Sequence, residues 1–304
     1  MNSRLIEDIA NAVLYEGYLL YPYRASAIKN RQRWNFGVLY PRAYVERQSG
    51  PDAWEMRTEC LLRAPADASP LVRVRFLHLV AHDFEGGTGQ KAVERDVTLP
   101  AVQISELSRA GAHDSFRFPA SEKQCALEVT VDRTAECLAA DLFKLRVTIC
   151  NDGESTGFQR DEALLGSLVS THTILGIEHG EFVSLLEPPE ELQVLAAQCE
   201  NLGTWPVMVG EPGSREAMLS SPIILYDYPQ IAPESPAALF DGTEIDEILT
   251  LRIMTLTDEE QRQMEMTDER AREILERTRS MPPSEFMKLH GVLRGLRDVP
   301  EETP

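Results

Sequence analysis

His78 and His82 stand four residues apart in LVRVRFLHLVAHDF, Asp83 follows directly, and His113-Asp114 comes later in the chain. Imidazole nitrogens and carboxylate oxygens are the ligands that zinc and iron take, so His78, His82, Asp83 and His113 form a candidate metal set. Positions i and i+4 of a strand point the same way but lie ~13 Å apart along its axis. Two imidazoles at that separation share one ion only if the strand bends. The competing expectation is a set of ordinary sheet histidines. The other reactive residue types carry less. Cys60, Cys125, Cys137, Cys150 and Cys199 are widely spaced and form no CxxC, which points to reduced thiols rather than a zinc ribbon or a disulfide framework. EGGTGQ at 85–90 is glycine-rich, but it is no phosphate loop and reads as a hairpin turn. Glu178 and Glu181 flank His179-Gly180, a spacing open to paired-carboxylate chemistry; acids near Asp241–Glu247 have the simpler role of favouring a helix start. The chain contains no G-x-S-x-G and no H-E-x-x-H. No cofactor is expected.

A different kind of chemistry is concentrated in YEGYLLYPYRASAIKNRQRWNFGVLYPR, residues 15–42. From Gly17 to Tyr44 there are five basic residues and no acid, in a chain of net charge −19. Tyrosine, tryptophan and arginine are the residue types that most often anchor protein interfaces. Tyr18, Tyr21, Tyr23, Arg24, Lys29, Arg31, Arg33 and Trp34 are therefore a candidate partner-binding surface. SPIILYDYPQIAPESP is a second one, with Tyr226, Tyr228 and Ile231 among four prolines that lower the entropy cost of binding. Between Glu178 and Glu260 there are 17 acids and two bases, so the basic stretch and the acidic half should attract each other within one chain or between chains. The same acidity opposes binding to nucleic acid.

The elements that must position these residues follow from hydrophobic period. Leu5, Ile6, Ile9, Ala12 and Val13 predict a helix over 3–15. From Trp34 to Cys150 alternating runs predict many strands without intervening helices. In LVRVRFLHL, Val72, Val74, Phe76 and His78 should share one face. THTILGIEHGEFVSLL predicts a hairpin with His179-Gly180 at its tip. Helices are predicted near 189–201, after Thr243, over 258–279 and after Ser284. The resulting expectation is an α+β protein: residues 1–186 an N-terminal helix plus an antiparallel β-sandwich or partly open barrel, and residues 187–304 a mostly helical part with short strands and a proline-rich connector. No apolar run is long enough for a membrane span, and MNSRLIEDIANAVL lacks the features of a secretion signal. Those two points, with the unpaired thiols, predict a cytoplasmic protein.

Two blocks, YEGYLLYPYRASAIKNRQRW and SPIILYDYPQIAPESPAALFDGTEIDEILTLRIMTLTDEE, resemble an uncharacterised bacterial protein family associated with gene clusters for uptake nickel–iron hydrogenases. The resemblance covers about 60 of 304 residues and carries no catalytic motif. It implies a context: a non-enzymatic accessory or assembly protein whose partners are hydrogenase subunits or maturation factors, with homo-oligomerisation open. A metal-dependent enzyme or metal carrier built on the histidine set is the alternative. A sandwich that binds a small molecule is a third.

Overall fold

In the computed structural model the chain forms two compact units, Met1–Gln230 and Ile231–Pro304. The structure describes residues 3–19, 36–84, 87–154 and 159–230, together with 261, 262, 272, 275, 276, 279 and 280. The first unit begins with helix α1 (Ser3–Leu19) and the short α2 (Arg42–Val45), followed by strands β1 (Glu55–Arg63), β2 (Leu71–Phe84) and β3 (Gly87–Thr98). Helix α3 (Ile104–Arg109) leads into β4 (Ala112–Phe118), β5 (Leu127–Ala139) and β6 (Leu142–Asn151). Then come α4 (Arg160–Leu165), β7 (Val169–Gly176), β8 (Glu181–Val183), a 3-10 turn (Glu190–Leu192), α5 (Gln193–Ala197), β9 (Trp205–Met208) and β10 (Ala217–Ser221).

The strands build two five-stranded sheets, in the orders β4-β5-β6-β1-β8 and β3-β2-β7-β10-β9. Every strand pairing is antiparallel. Alternation explains how the sheets face each other. Val72, Val74 and Phe76 of β2 turn inward and meet Leu62, Val131 and Leu145 of the first sheet in one apolar core. Each such side chain contributes about 1.5–3 kcal/mol by leaving water. The opposite face of β2 carries Arg73 and Arg75, and α1 lies across it. Ile6, Ile9, Ala10 and Val13 pack on Ile174, Val207 and Leu219. Beside this apolar contact Arg73 pairs with Glu7 and Asp96, and the buried Arg75 donates to Asn11 at 2.7 Å. Strand β7, covered on both faces, is buried along its whole length. Among the described residues no helix is long and apolar enough to cross a membrane.

The α+β expectation is corrected: the described fold is mostly β, and among the described residues no mostly helical part beginning at 187 is seen. Strands β9 and β10 lie beyond 186 and complete the second sheet, while the helix expected near 189–201 shrinks to a 3-10 turn and the five-residue α5. Tertiary contacts override local propensity there. The buried Glu59 carboxylate accepts from the Glu200 backbone N–H at 2.7 Å, and Asn201 Oδ1 accepts from the Glu59 N–H at 2.9 Å. These bonds tie the segment to β1 and draw its backbone out of a helix. The helices expected after Thr243 and after Ser284 lie outside the described residues, while the described residues within 258–279, namely 261, 262, 272, 275, 276 and 279, are helical.

The expected hairpin at His179-Gly180 is a corner instead. Strands β7 and β8 belong to different sheets and do not pair with each other. The turn is pressed against the end of β1, where a Cβ on Gly180 would stand 2.8 Å from Ala64 Cβ and 2.9 Å from Arg63 O. Only glycine fits that approach, and His179 beside it adopts a φ of 58°.

Candidate contact surface

Each sheet ends in a short strand on the same side of the sandwich, β8 in one and β9 in the other. Open strand edges present unpaired backbone groups that recruit other chains. Here they are sealed from within. Leu202 exchanges two backbone hydrogen bonds with Arg57 of β1, at 2.9 and 3.1 Å, so it extends the first sheet below β8. Thr204 is buried where the chain passes to β9. Its hydroxyl lies 2.7 Å from the Ser220 hydroxyl, which lies 2.7 Å from that of Thr58. This chain of hydroxyls joins the two sheets through the core.

After β10 the chain reverses at Pro222 and runs back along β9 as a strap. Asp227 fixes it: one carboxylate oxygen accepts the Met208 N–H at 2.7 Å and the other accepts the Ser184 hydroxyl at 2.5 Å. The Tyr228 N–H donates to the Met208 carbonyl at 2.8 Å, and its phenol donates to the Ser214 carbonyl at 3.0 Å. Tyr228 holds a φ of 55°, an unfavourable conformation for a side chain of its size.

The strap alternates. Ile223 and Leu225 pack towards α1, so Ile224 and Tyr226 point the other way, 73% and 87% exposed. They are not alone. Among the described residues seven large hydrophobic side chains are exposed, and all but Phe36 lie between 186 and 226. Leu186, Val194, Leu202, Trp205, Ile224 and Tyr226 sit on the segments that close or flank this edge. Scattered single exposures need no explanation, but six within the one stretch of chain from 186 to 226 do. Two of the acids on these segments meet cations of β1, Glu191 with Arg63 at 3.5 Å and Glu200 with Arg57 at 3.6 Å. From Leu186 to Tyr228 the sequence holds seven acids and one base, Arg215, which faces Glu181 at 3.6 Å.

The residues expected to form partner surfaces separate in the structure. Tyr226 is exposed, whereas Tyr228 is built into the edge and packs on the core. Tyr18 is a position of α1, and Tyr21, Tyr23, Arg24, Lys29, Arg31, Arg33, Trp34 and Ile231 lie outside the described residues. Trp205, Ile224 and Leu202 were missed by sequence reasoning. The signal for Ile224 was present: alternation in IILY, read with Asp227 as an anchor.

The proposed metal ligands are not brought together where they are described. His78 faces the interior beside Phe118, with 6.4 Å between ring centroids, and burial with the nearby Arg95 cation lowers its pKa to about 4. His113 lies on the solvent face of β4, where its Nδ1 is 2.8 Å from Asp132 and that carboxylate raises its pKa. The first sheet separates the two imidazoles. His82 and Asp83 continue β2, and their side chains lie outside the described ones. Among the described residues no group of three or more His, Cys, Asp or Glu side chains converges as metal ligands. All five cysteines are free. Burial pushes the Cys60 thiol far up and those of Cys150 and Cys199 to about 11, which disfavours the thiolate that nucleophilic chemistry needs. Glu178 lines a cleft of about 800 Å³ at one end of the sandwich with Asp67, His179 and Glu216, while Glu181 turns to Arg215.

The sequence matches no protein-family model and no curated protein.

Proposed function

We propose that this protein is a non-enzymatic accessory factor that works through protein–protein contacts. The observation that carries the reading is the apolar belt on the β8/β9 edge. Backbone groups of Leu202, Met208 and Tyr228 bond within the chain there, and the exposed side chains are free to serve a partner rather than to hold the fold. An exposed tyrosine on a proline-bounded strap, beside an exposed tryptophan on β9, binds at little entropic cost. The resemblance of the opening and strap sequences to a hydrogenase-associated family supplies the context: cytoplasmic assembly or maturation of a nickel–iron hydrogenase, with its subunits or maturation factors as partners.

The test is affinity purification of the C-terminally tagged chain from cells making hydrogenase, beside an Ile224→Ser/Tyr226→Ser variant. Hydrogenase subunits or maturation factors should accompany the wild type and be lost from the variant, with the two proteins equally stable. Identical sets of co-purifying proteins would overturn the belt as the contact surface. A set without hydrogenase components would overturn the context.

A further inference from the structure

The belt uses none of the residues that line the cleft at the end of the sandwich. We propose that this cleft is a binding site for a small organic cation, a primary amine with an apolar body. Its volume of about 800 Å³ is that of a small-molecule pocket. Its walls are held in place by backbone bonds. On one side the loop between β1 and β2 is pinned to the start of α3, where the Ile104 and Ser105 N–H groups donate to the Ala68 and Ala66 carbonyls at 2.9 and 2.8 Å. On the other side Gly180 seats the corner between β7 and β8 against the end of β1. The Ile177 and Phe182 N–H groups flank that corner and donate to the Glu216 and Arg215 carbonyls at 2.9 and 2.8 Å. Leu71, Leu99 and Ile177 supply an apolar lining. Asp67, Glu178 and Glu216 supply carboxylates, and no lysine or arginine lines the cleft. The carboxylates of Asp67 and Glu178 are exposed and pair with no cation among the described residues, so both are available to a ligand. The kind of cation follows from the rest of the lining. Among the described residues no three acids converge as metal ligands, and no Phe, Tyr or Trp lines the cleft to cage a quaternary ammonium. Separate carboxylates beside aliphatic side chains suit an ammonium that donates N–H to oxygen and lays its hydrocarbon on Leu71, Leu99 and Ile177.

Isothermal titration calorimetry on the full chain tests this, with cyclohexylmethylamine as the probe. Two further compounds dissect it. Cyclohexylmethanol keeps the body and loses the charge, and methylamine keeps the charge and loses the body. Expected is one saturable site for the amine with a Kd below about 1 mM, and binding at least about tenfold weaker for the other two. Asp67→Asn and Glu178→Gln should each weaken the amine about tenfold, the worth of one hydrogen bond to a charged group. Glu187→Gln removes an exposed acid outside the cleft and should leave the affinity unchanged. Urea denaturation would first confirm that the variants are as stable as the wild type. If Glu178→Gln is not, Asp67→Asn on the opposite wall carries the test. Absence of saturable amine binding overturns the inference. Equal binding of cyclohexylmethanol does so as well, because the carboxylates would then play no part. So does wild-type affinity in the cleft variants. An equal loss from Glu187→Gln would reduce the effect to the general attraction of a cation to an acidic protein, and would overturn the site too.

Discussion

The two edges of the sandwich are built in opposite senses. At the β3/β4 edge, polar and charged groups turn inward. Arg133, almost fully buried, donates to Asp114 at 2.6 Å and to the Pro100 carbonyl at 2.9 Å. Arg95 lies over the Phe118 ring at 4.7 Å and donates to Gln124 at 3.0 Å. Solvent there sees His113, Ser115 and Arg117. At the β8/β9 edge the inward groups are small and fully paired: Thr204, Ser220 and the Asp227 carboxylate. Solvent there sees Trp205, Ile224 and Tyr226. The first edge uses its costly groups to hold itself together. The second holds itself with backbone bonds and hydroxyls, and leaves its apolar area outside. Folding does not use that area, so binding can.

If this contrast is right, the first edge should fail in acid. Burial holds His78 at that edge and His172 on the central strand β7 neutral, each with a pKa lowered to about 4, and Arg95 adds to the effect at His78. In the unfolded chain both titrate near ~6.5. Between pH ~6.5 and ~4 the unfolded state therefore binds more protons, and stability falls as pH falls. The limiting slope is about 1.4 kcal/mol per pH unit for each histidine. Urea denaturation at pH 7, 5.5 and 4.5 measures it, and His78→Phe should remove about half of the slope. An unchanged slope would mean that His78 is not the group titrating.

Next in size is Arg133→Ala, which leaves Asp114 without its cation at the same edge. A loss of about 3 kcal/mol is expected in urea denaturation at neutral pH. At the other edge, Asp227→Ala should cost about 2 kcal/mol, because the Met208 N–H and the Ser184 hydroxyl lose a charged acceptor. The strap should also loosen, seen as faster hydrogen exchange at Met208 and Tyr228. The smallest effect on stability, below about 0.5 kcal/mol, belongs to Ile224→Ser/Tyr226→Ser, which touches only exposed side chains. A large loss from that pair would place the belt in the fold and end the contrast between the edges.

Much of this was legible in the sequence at the level of single strands and little at the level of assembly. Val72, Val74 and Phe76 alternate with arginines, and a period of two admits one assignment of faces. Met218 and Leu219, by contrast, sit in a strand of five residues, too short for a period to emerge, and its register comes from β7 and β9. The helix expected near 189–201 follows local propensity; it is Glu59, far away in sequence, that takes the Glu200 N–H and ties the end of the segment to β1. Tyr226 and Tyr228 look equivalent as letters. They differ because Asp227 between them pins the strap, leaving one tyrosine outside and fixing the other in the edge. His78 and His113 share a residue type but face opposite sides of one sheet, a fact that depends on which strands pair.

Oxidative footprinting of the chain inside cells, set against the purified protein at low concentration, tests most directly whether the belt is a contact surface. Expected is selective protection in cells of Trp205 and Tyr226, with Phe36 and His113 oxidised equally in both settings. Equal oxidation of the belt residues inside and outside the cell would contradict it.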